Sequence, residues 1–243
     1  MLRGAFFFLV MGLAASAAAQ SGTWKIDPNH SSAQFSVRHL GVSTVRGAFT
    51  KVNGSGTYDS SDPAKTSLEA NIEASSVDTR VEMRDNDLRS PNFLDVQKYP
   101  TITFHSKQTK SAGAGKLQIT GDLTIHGVTK EVVLDVDGPS APIKDPWGNQ
   151  RIGASATTKI NRQDFGVKGA PGVVGDEIAI TIDVEMIQPK SCDFGFDYLG
   201  TAASAVQSSV SSTARYSRSQ AEADNLYINA SAPQPAHPES ATA

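Results

Sequence analysis

The sequence predicts an all-β domain, built either as an antiparallel barrel or as a sandwich. Apolar and polar residues alternate over many short stretches, which is the pattern of strands with one buried and one wet face. Gly, Asn, Asp and Pro separate these stretches at short intervals, as expected for hairpins and turns. The chain of 243 residues contains one cysteine, so an intramolecular disulfide is excluded and a hydrophobic core must hold the domain together.

The amino terminus has the composition of a secretory signal peptide. Arg3 supplies the positive charge, residues 5–15 are apolar, and Ala17–Ala19 offers small residues for cleavage. The uncharged stretch is shorter than the roughly 20 residues that a helix needs to span a bilayer. We therefore expect residues 1–19 to be a signal peptide cleaved near Ala19, and the mature protein to reside in the bacterial periplasm.

Period-two alternation marks at least seven strands within residues 20–188. The last strand is the clearest, because five apolar residues at every second position share one face. They are Ile178, Ile180, Ile182, Val184 and Met186. The earlier strands run, in chain order, through Phe35 and Val37, Leu68 to Ala74, Ile102 and Phe104, Leu117 and Ile119, Leu123 and Ile125, and Val132 to Val136.

Three short segments have the chemistry of tight turns. Asn53-Gly54 and His126-Gly127 are candidates for two-residue hairpin loops, because glycine adopts the positive φ that such loops require. Asp145–Gly148, with the sequence Asp-Pro-Trp-Gly, predicts a turn at a loop tip.

A helical segment is predicted between the strands, at about residues 79–96. Thr79 and Glu82 have the spacing of a capping box, in which the hydroxyl and the carboxylate satisfy free amides at a helix start. Asp85 precedes Arg89 by four residues, the favourable order for a helical ion pair. Ser90-Pro91 then predicts a second helical turn. With few apolar residues, this segment is expected to lie on the barrel as a lid.

Residues 189–243 differ in composition from the domain that precedes them. They are rich in Ser and Ala and end in a Pro-rich stretch, a composition that buries too little apolar surface to fold. We predict a disordered tail, with Phe194–Leu199 as the one segment suited to docking. The net charge of −3 and the lack of a Lys/Arg cluster argue against a nucleic-acid partner.

The sequence offers no constellation of residues for metal binding or catalysis. The domain's four histidines are not paired at ligand spacing, and no thiolate accompanies them, since Cys192 lies in the predicted tail. A Gly-x-Ser-x-Gly elbow and a P-loop are both missing from the sequence. We expect a protein that is not an enzyme, with no metal site.

Several stretches resemble, in order and spacing, the YceI-like family of polyisoprenoid-binding periplasmic proteins. The stretches are Trp24–Pro28, Phe35–Gly41, Val45–Phe49, Ser76–Thr79, Tyr99–Pro100, Gly121–Thr129, Asp145–Gly148 and Ile160–Gly166. The resemblance implies an extended, lipocalin-like antiparallel barrel of about eight strands, with the short helical lid inserted mid-chain. It also implies an apolar lumen that binds, stores or transports a long-chain amphiphile without catalysis.

The resemblance directs apolar side chains of several strands into that lumen. The predicted ligand-binding residues are Phe35, Val37, His39, Phe49, Phe93 and Phe104. No cofactor is required, and the implied ligand is a polyisoprenoid, an isoprenoid quinone or a similar lipid. The candidate partners are a second copy of the chain, in a homodimer, and the membrane or a membrane redox protein, in a transient contact.

Two residues depart from the family pattern. Asp87 stands where the family often has His, and Ala154 stands where it usually has an aromatic residue, which predicts a locally wider lumen. The alternative function is that of an envelope stress or interaction protein beside a membrane redox partner, with the cavity secondary.

Overall fold

The computed structural model describes residues 22–188, and nearly all of them belong to strands and short connections. The strands are β1 (Gly22–Ile26), β2 (Ser32–His39), β3 (Ser43–Phe49), β4 (Val52–Tyr58), β5 (Ser67–Glu73), β6 (Val77–Asp78), β7 (Thr101–Gly113), β8 (Lys116–Ile125), β9 (Val128–Asp137), β10 (Ile143–Lys144), β11 (Gln150–Asn161) and β12 (Val174–Gln188). One helix, α1 (Glu82–Arg89), lies between β6 and β7.

The strands form a closed antiparallel barrel of eight staves. Three staves are interrupted strands: β1 continues into β2, β3 into β4, and β5 into β6. The other five are β7, β8, β9, β11 and β12, each paired with its neighbour along the chain. β12 closes the barrel, because it pairs with β11 on one edge and with β1 and β2 on the other. The predicted all-β, eight-stranded barrel is confirmed.

The connections collect at two ends of the barrel. At the lid end lie the turns at residues 40–42 and 126–127, the helical segment 79–100 and the loop 162–173. At the terminal end lie residues 59–66, 114–115 and 138–149, together with Gly22 and Gln188. None of the helices within residues 22–188 is long and apolar enough to cross a bilayer.

The predicted turns are right in two cases and wrong in one. His126 and Gly127 join β8 to β9 with φ of 53° and 73°, as a tight hairpin requires. Asp145 also begins a turn, since it accepts the amide of Gly148. Gly54, in contrast, lies inside β4, where a Cβ would come within 2.1 Å of the Glu69 carbonyl oxygen on β5. This glycine permits close strand pairing and does not form a turn.

The helical segment is shorter than predicted, and its capping box is wrong. The residue before the helix is Val81, and it provides no side-chain cap. Thr79 instead donates both its amide and its hydroxyl to the buried Asp85 carboxylate, at 2.9 and 2.5 Å. Arg89 donates to backbone carbonyls of residues 75 and 77 and makes no ion pair with Asp85. Tertiary hydrogen bonds therefore replace both predicted local interactions.

The second predicted turn is present. The Ser90 carbonyl accepts the amide of Phe93, and its hydroxyl accepts the amide of Asn92. Exposed Asp87 accepts a 3.0 Å hydrogen bond from the Asn92 side chain, so this departure from the family pattern helps to shape the turn. The predicted signal peptide, Cys192 and the predicted tail lie outside the described residues.

At the terminal end, a buried ionic network connects the break between β1 and β2 with β11, β12 and the loop 138–149. Arg151 of β11 binds Asp27, Asp145 and Glu185, with distances of 2.9 Å to the first two. Burial raises the pKa of Asp27, but hydrogen bonds from His30, Arg151 and a backbone amide outweigh it and hold the pKa below 3.8. The network fixes the break between β1 and β2 in place.

Candidate functional site

An apolar cavity of about 260 Å³ runs inside the barrel. A volume of about 10–15 Å³ is enough to hold one water molecule, so this cavity is far larger than a packing defect. Period-two alternation places its walls, because one face of each strand points inward. Ile178, Ile180, Ile182 and Val184 of β12 all line it, as the pattern of that strand predicts.

Five of the six residues predicted to bind ligand line this cavity. They are Phe35, Val37, Phe49, Phe93 and Phe104, and they come from three staves and the lid segment. The rings of Phe35 and Phe49 lie 5.8 Å apart on neighbouring strands. Their contact with a ligand stays a prediction, but the structure brings them to one space.

His39 is the exception among the predicted residues. It shares a face of β2 with Phe35 and Val37, but it lies at the last position of the strand and does not line the cavity. There it is half-buried and pairs with Ser43 and Val174 at the lid end. The resemblance to the family assigned His39 to the ligand-binding set, and in the structure it lies beyond the residues that line the cavity.

Small residues on the inner face keep the space open. Ala70 lines the cavity between Gly54 of β4 and Phe104 of β7. Ala154 also lines it, at the position where the family pattern has an aromatic residue. A large side chain at Ala154 would occupy part of this volume.

Different side chains lie at the two ends of the cavity. At the lid end, Phe93 and Phe165 are buried, with 8% and 2% of their surfaces exposed, and both line the cavity. At the terminal end lies a second apolar cluster, of which Ile26, Ala33 and Val52 line the cavity. Its other buried members, Trp24, Ile152 and Met186, do not line it. The lid segment is thus part of the core and does more than rest on the barrel.

One buried charge lines the cavity at the lid end, and sequence reasoning missed it. Arg162 is 4% exposed and donates to the carbonyls of Val167, Gly169, Val174 and Gly175 at 2.7–3.0 Å. Its guanidinium also lies 3.2 Å from the Asp176 carboxylate. These partners use its donors, so Arg162 pins the loop 166–175 to the barrel end.

Within residues 22–188, one group of side chains has the geometry to hold a metal ion, and it contains a single histidine. Asp27, His30 and Glu185 do place three ligand atoms within 4.8 Å of one another. The Arg151 guanidinium, however, already binds both of these carboxylates. The group is better described as an ion-pair network than as a cation site.

Comparisons with known proteins agree with this geometry. A family model described as a YceI-like domain matches residues 24–186. The protein YceI of Escherichia coli O157:H7 is 40% identical over 191 residues, covering 78% of this chain and 98% of that protein.

Two solved structures share the architecture. The YCEI protein of Campylobacter jejuni matches with a TM-score of 0.57 and 32% identity, over 63% of this chain and 90% of its own. A polyisoprenoid binding domain from Saccharophagus degradans matches with a TM-score of 0.52 and 15% identity, over 68% of this chain and 98% of its own. At that identity the second likeness concerns the fold alone.

Proposed function

The chain belongs to the YceI-like family, and we propose that it binds a long-chain amphiphile in its barrel and carries or stores it without chemical change. The ligand class is a polyisoprenoid, an isoprenoid quinone or a similar lipid. The observation that carries this proposal is the long apolar cavity, which is lined by aromatic and aliphatic side chains.

The physical argument rests on the cost of leaving such a space unfilled. Water in an apolar cavity lacks hydrogen-bond partners, so such cavities stay dry or take up hydrocarbon. Each methylene that moves from water into the cavity contributes about 0.8 kcal/mol. A chain that fills this volume therefore binds tightly without any specific polar contact.

The lining also favours holding a ligand over transforming it. The buried charge at the lid end, Arg162, is bound by backbone carbonyls and Asp176, and its donors are not free to act on a substrate. The polyisoprenoid binding described for the Saccharophagus degradans domain supports the same ligand class, by analogy of fold. With the predicted signal peptide, these features support a carrier that acts in the periplasm.

Reconstitution with defined lipids tests this function. Delipidated protein is titrated with a polyprenol, an isoprenoid quinone and a diacyl phospholipid, and the bound lipid is counted after gel filtration. We expect saturation near one molecule of the single-chain isoprenoids per barrel, and weaker uptake of the two-chain phospholipid. Uptake of none of the three, or equal loose uptake of all three, contradicts the proposal.

A further inference from the structure

The barrel wall has one weak seam, between β9 and β11. Within residues 22–188 these strands pair only where Asp135–Asp137 meets Ser155–Thr157. β8 and β9, in contrast, are paired over the full length of β9, and β11 and β12 over the full length of β11. The half of the seam nearer the lid end therefore lacks ladder hydrogen bonds, and we call it the slot. Beside it, Val132, Leu134, Thr158 and Ile160 line the cavity.

Lys130 lies beside this slot on the inner face of β9. It pairs with Leu123 of β8, which is 9% exposed and lines the cavity, and paired residues share one face of a sheet. Val132 and Leu134 follow on the same face and also line the cavity. Lys130 is nevertheless exposed. Lys130 itself does not line the cavity and lies two residues after the start of β9, beside the unpaired part of the wall.

The Lys130 ammonium is free among the described residues. The acidic residues of the neighbouring outer surface are otherwise engaged: Asp122 and Glu131 bind Lys107, and Asp135 accepts from Gln118. Asp164, in the turn after β11, makes no ion pair with it. Lysine covers apolar surface with its aliphatic stem while it presents its charge to water.

Arg162 lies on the other side of the slot, and its charge is paired with Asp176. The β9–β11 register matches each step back along β9 with one step forward along β11, so Lys130 lies toward the end of β11, where the 3-10 helix Arg162–Phe165 begins. Arg162 is buried and lines the lid end of the cavity. Its donors are occupied and its charge is paired with Asp176, so Lys130 is the side chain that offers an unpaired charge at the slot.

We propose that the slot is a head-group site, in which Lys130 binds the anionic head of an amphiphile whose chain lies in the cavity. The chemical class is a single-chain lipid that ends in a phosphate or a carboxylate. The inference rests on the proposed function, since it assumes that a chain occupies the lumen. It adds that this protein selects ligands by head charge at the barrel wall, through a lysine that forms a charge-assisted contact.

Three ligands with one chain and different heads test the site. Myristate, myristyl phosphate and myristyl alcohol are titrated, below their micelle concentrations, into delipidated wild type, Lys130→Gln and Lys130→Arg. Lys159→Gln is the matched control, because Lys159 lies on the outer face of β11 and pairs with Glu177 at the surface. We expect Lys130→Gln to weaken both anionic ligands about five-fold, which is ~1 kcal/mol. Its affinity for the alcohol should not change.

Further readouts separate a head-group site from general attraction. The arginine variant should restore the affinity for the anions, and their advantage over the alcohol should shrink at high salt. Equal affinities of wild type and Lys130→Gln for the anionic ligands, or an equal loss in Lys159→Gln, overturn the inference while the carrier function stands. If none of the three ligands binds the wild type, the proposed function fails and the inference fails with it.

Discussion

Phe104→Trp separates an open cavity from a filled core at one position. Phe104 is 7% exposed, lines the cavity, and packs one ring edge against Gly121, where a Cβ would lie 2.5 Å from the ring. The larger indole cannot move toward Gly121, so it must extend into the lumen. In a filled core such overpacking costs about 1–3 kcal/mol. Next to open space, we expect a cost well below ~1 kcal/mol.

The loss of lipid should be larger than the loss of stability. An indole that takes the place of about two methylenes of the ligand removes ~1.6 kcal/mol of binding energy. That corresponds to roughly a fifteen-fold weaker affinity. Stability must be measured on delipidated protein, because a bound ligand itself raises the melting temperature.

Calorimetry and lipid titration of the same samples give the two numbers. Val133→Trp is the control, because Val133 lies on the outer face of β9 and is 44% exposed. We expect the melting temperature of Phe104→Trp to fall by less than about 4 °C, given about 2–4 °C per kcal/mol in a domain of this size. A drop of ~10 °C with unchanged lipid affinity would refute the open-cavity reasoning.

Four further outcomes are expected. Asp85→Ala should destabilise the domain by about 1–3 kcal/mol in urea unfolding and speed lipid exchange in stopped flow, since buried donors lose their acceptor. Glu82→Ala should change neither the free energy of unfolding nor the rate of lipid exchange. An equal effect of both variants would instead support the predicted capping box of Thr79 and Glu82. Arg151→Met should cost about 3–5 kcal/mol, because it leaves the buried Asp145 carboxylate without a cation, and a loss below ~1 kcal/mol would argue against the network. Because the pKa of Asp27 is lower in the folded protein, its ionised carboxylate should contribute fully to the free energy of unfolding above pH 3.8. This contribution should decline as the pH falls toward the pKa of the folded state. If the free energy of unfolding of an Asp27→Asn variant fell equally steeply with decreasing pH, this expectation would be wrong. Truncation after Lys190 should leave the melting temperature and bound lipid unchanged, and a large loss of either would show that the tail contributes to the barrel.

The sequence predicted the barrel because strand alternation is a local signal. Ile178 and Ile180 of β12 share one face because side chains alternate along a strand, and that face lines the cavity. For Phe104 of β7, the resemblance to the family supplied the inward direction. The resemblance to the family supplied the choice of a barrel over a sandwich. The closure of the barrel confirms that choice.

The predictions were wrong where another hydrogen bond or strand pairing competes with the local sequence motif. Thr79 has the sequence spacing of a helix cap, but the buried Asp85 carboxylate offers it a better acceptor. Asn53-Gly54 has hairpin chemistry, but pairing with β5 holds it inside a strand. The position of Lys130 beside the slot depends on where the β9–β11 pairing ends, which a single strand's sequence does not encode.

Mass spectrometry of lipids extracted from the protein purified from its native host tests the central claim most directly. The mature protein is isolated without detergent, and the extract is compared with that of the Phe104→Trp variant prepared in parallel. The apolar cavity predicts a long-chain lipid at near one molecule per barrel in the wild type and several-fold less in the variant. A barrel that is isolated empty and copurifies with a membrane protein would contradict the carrier function and favour an interaction role.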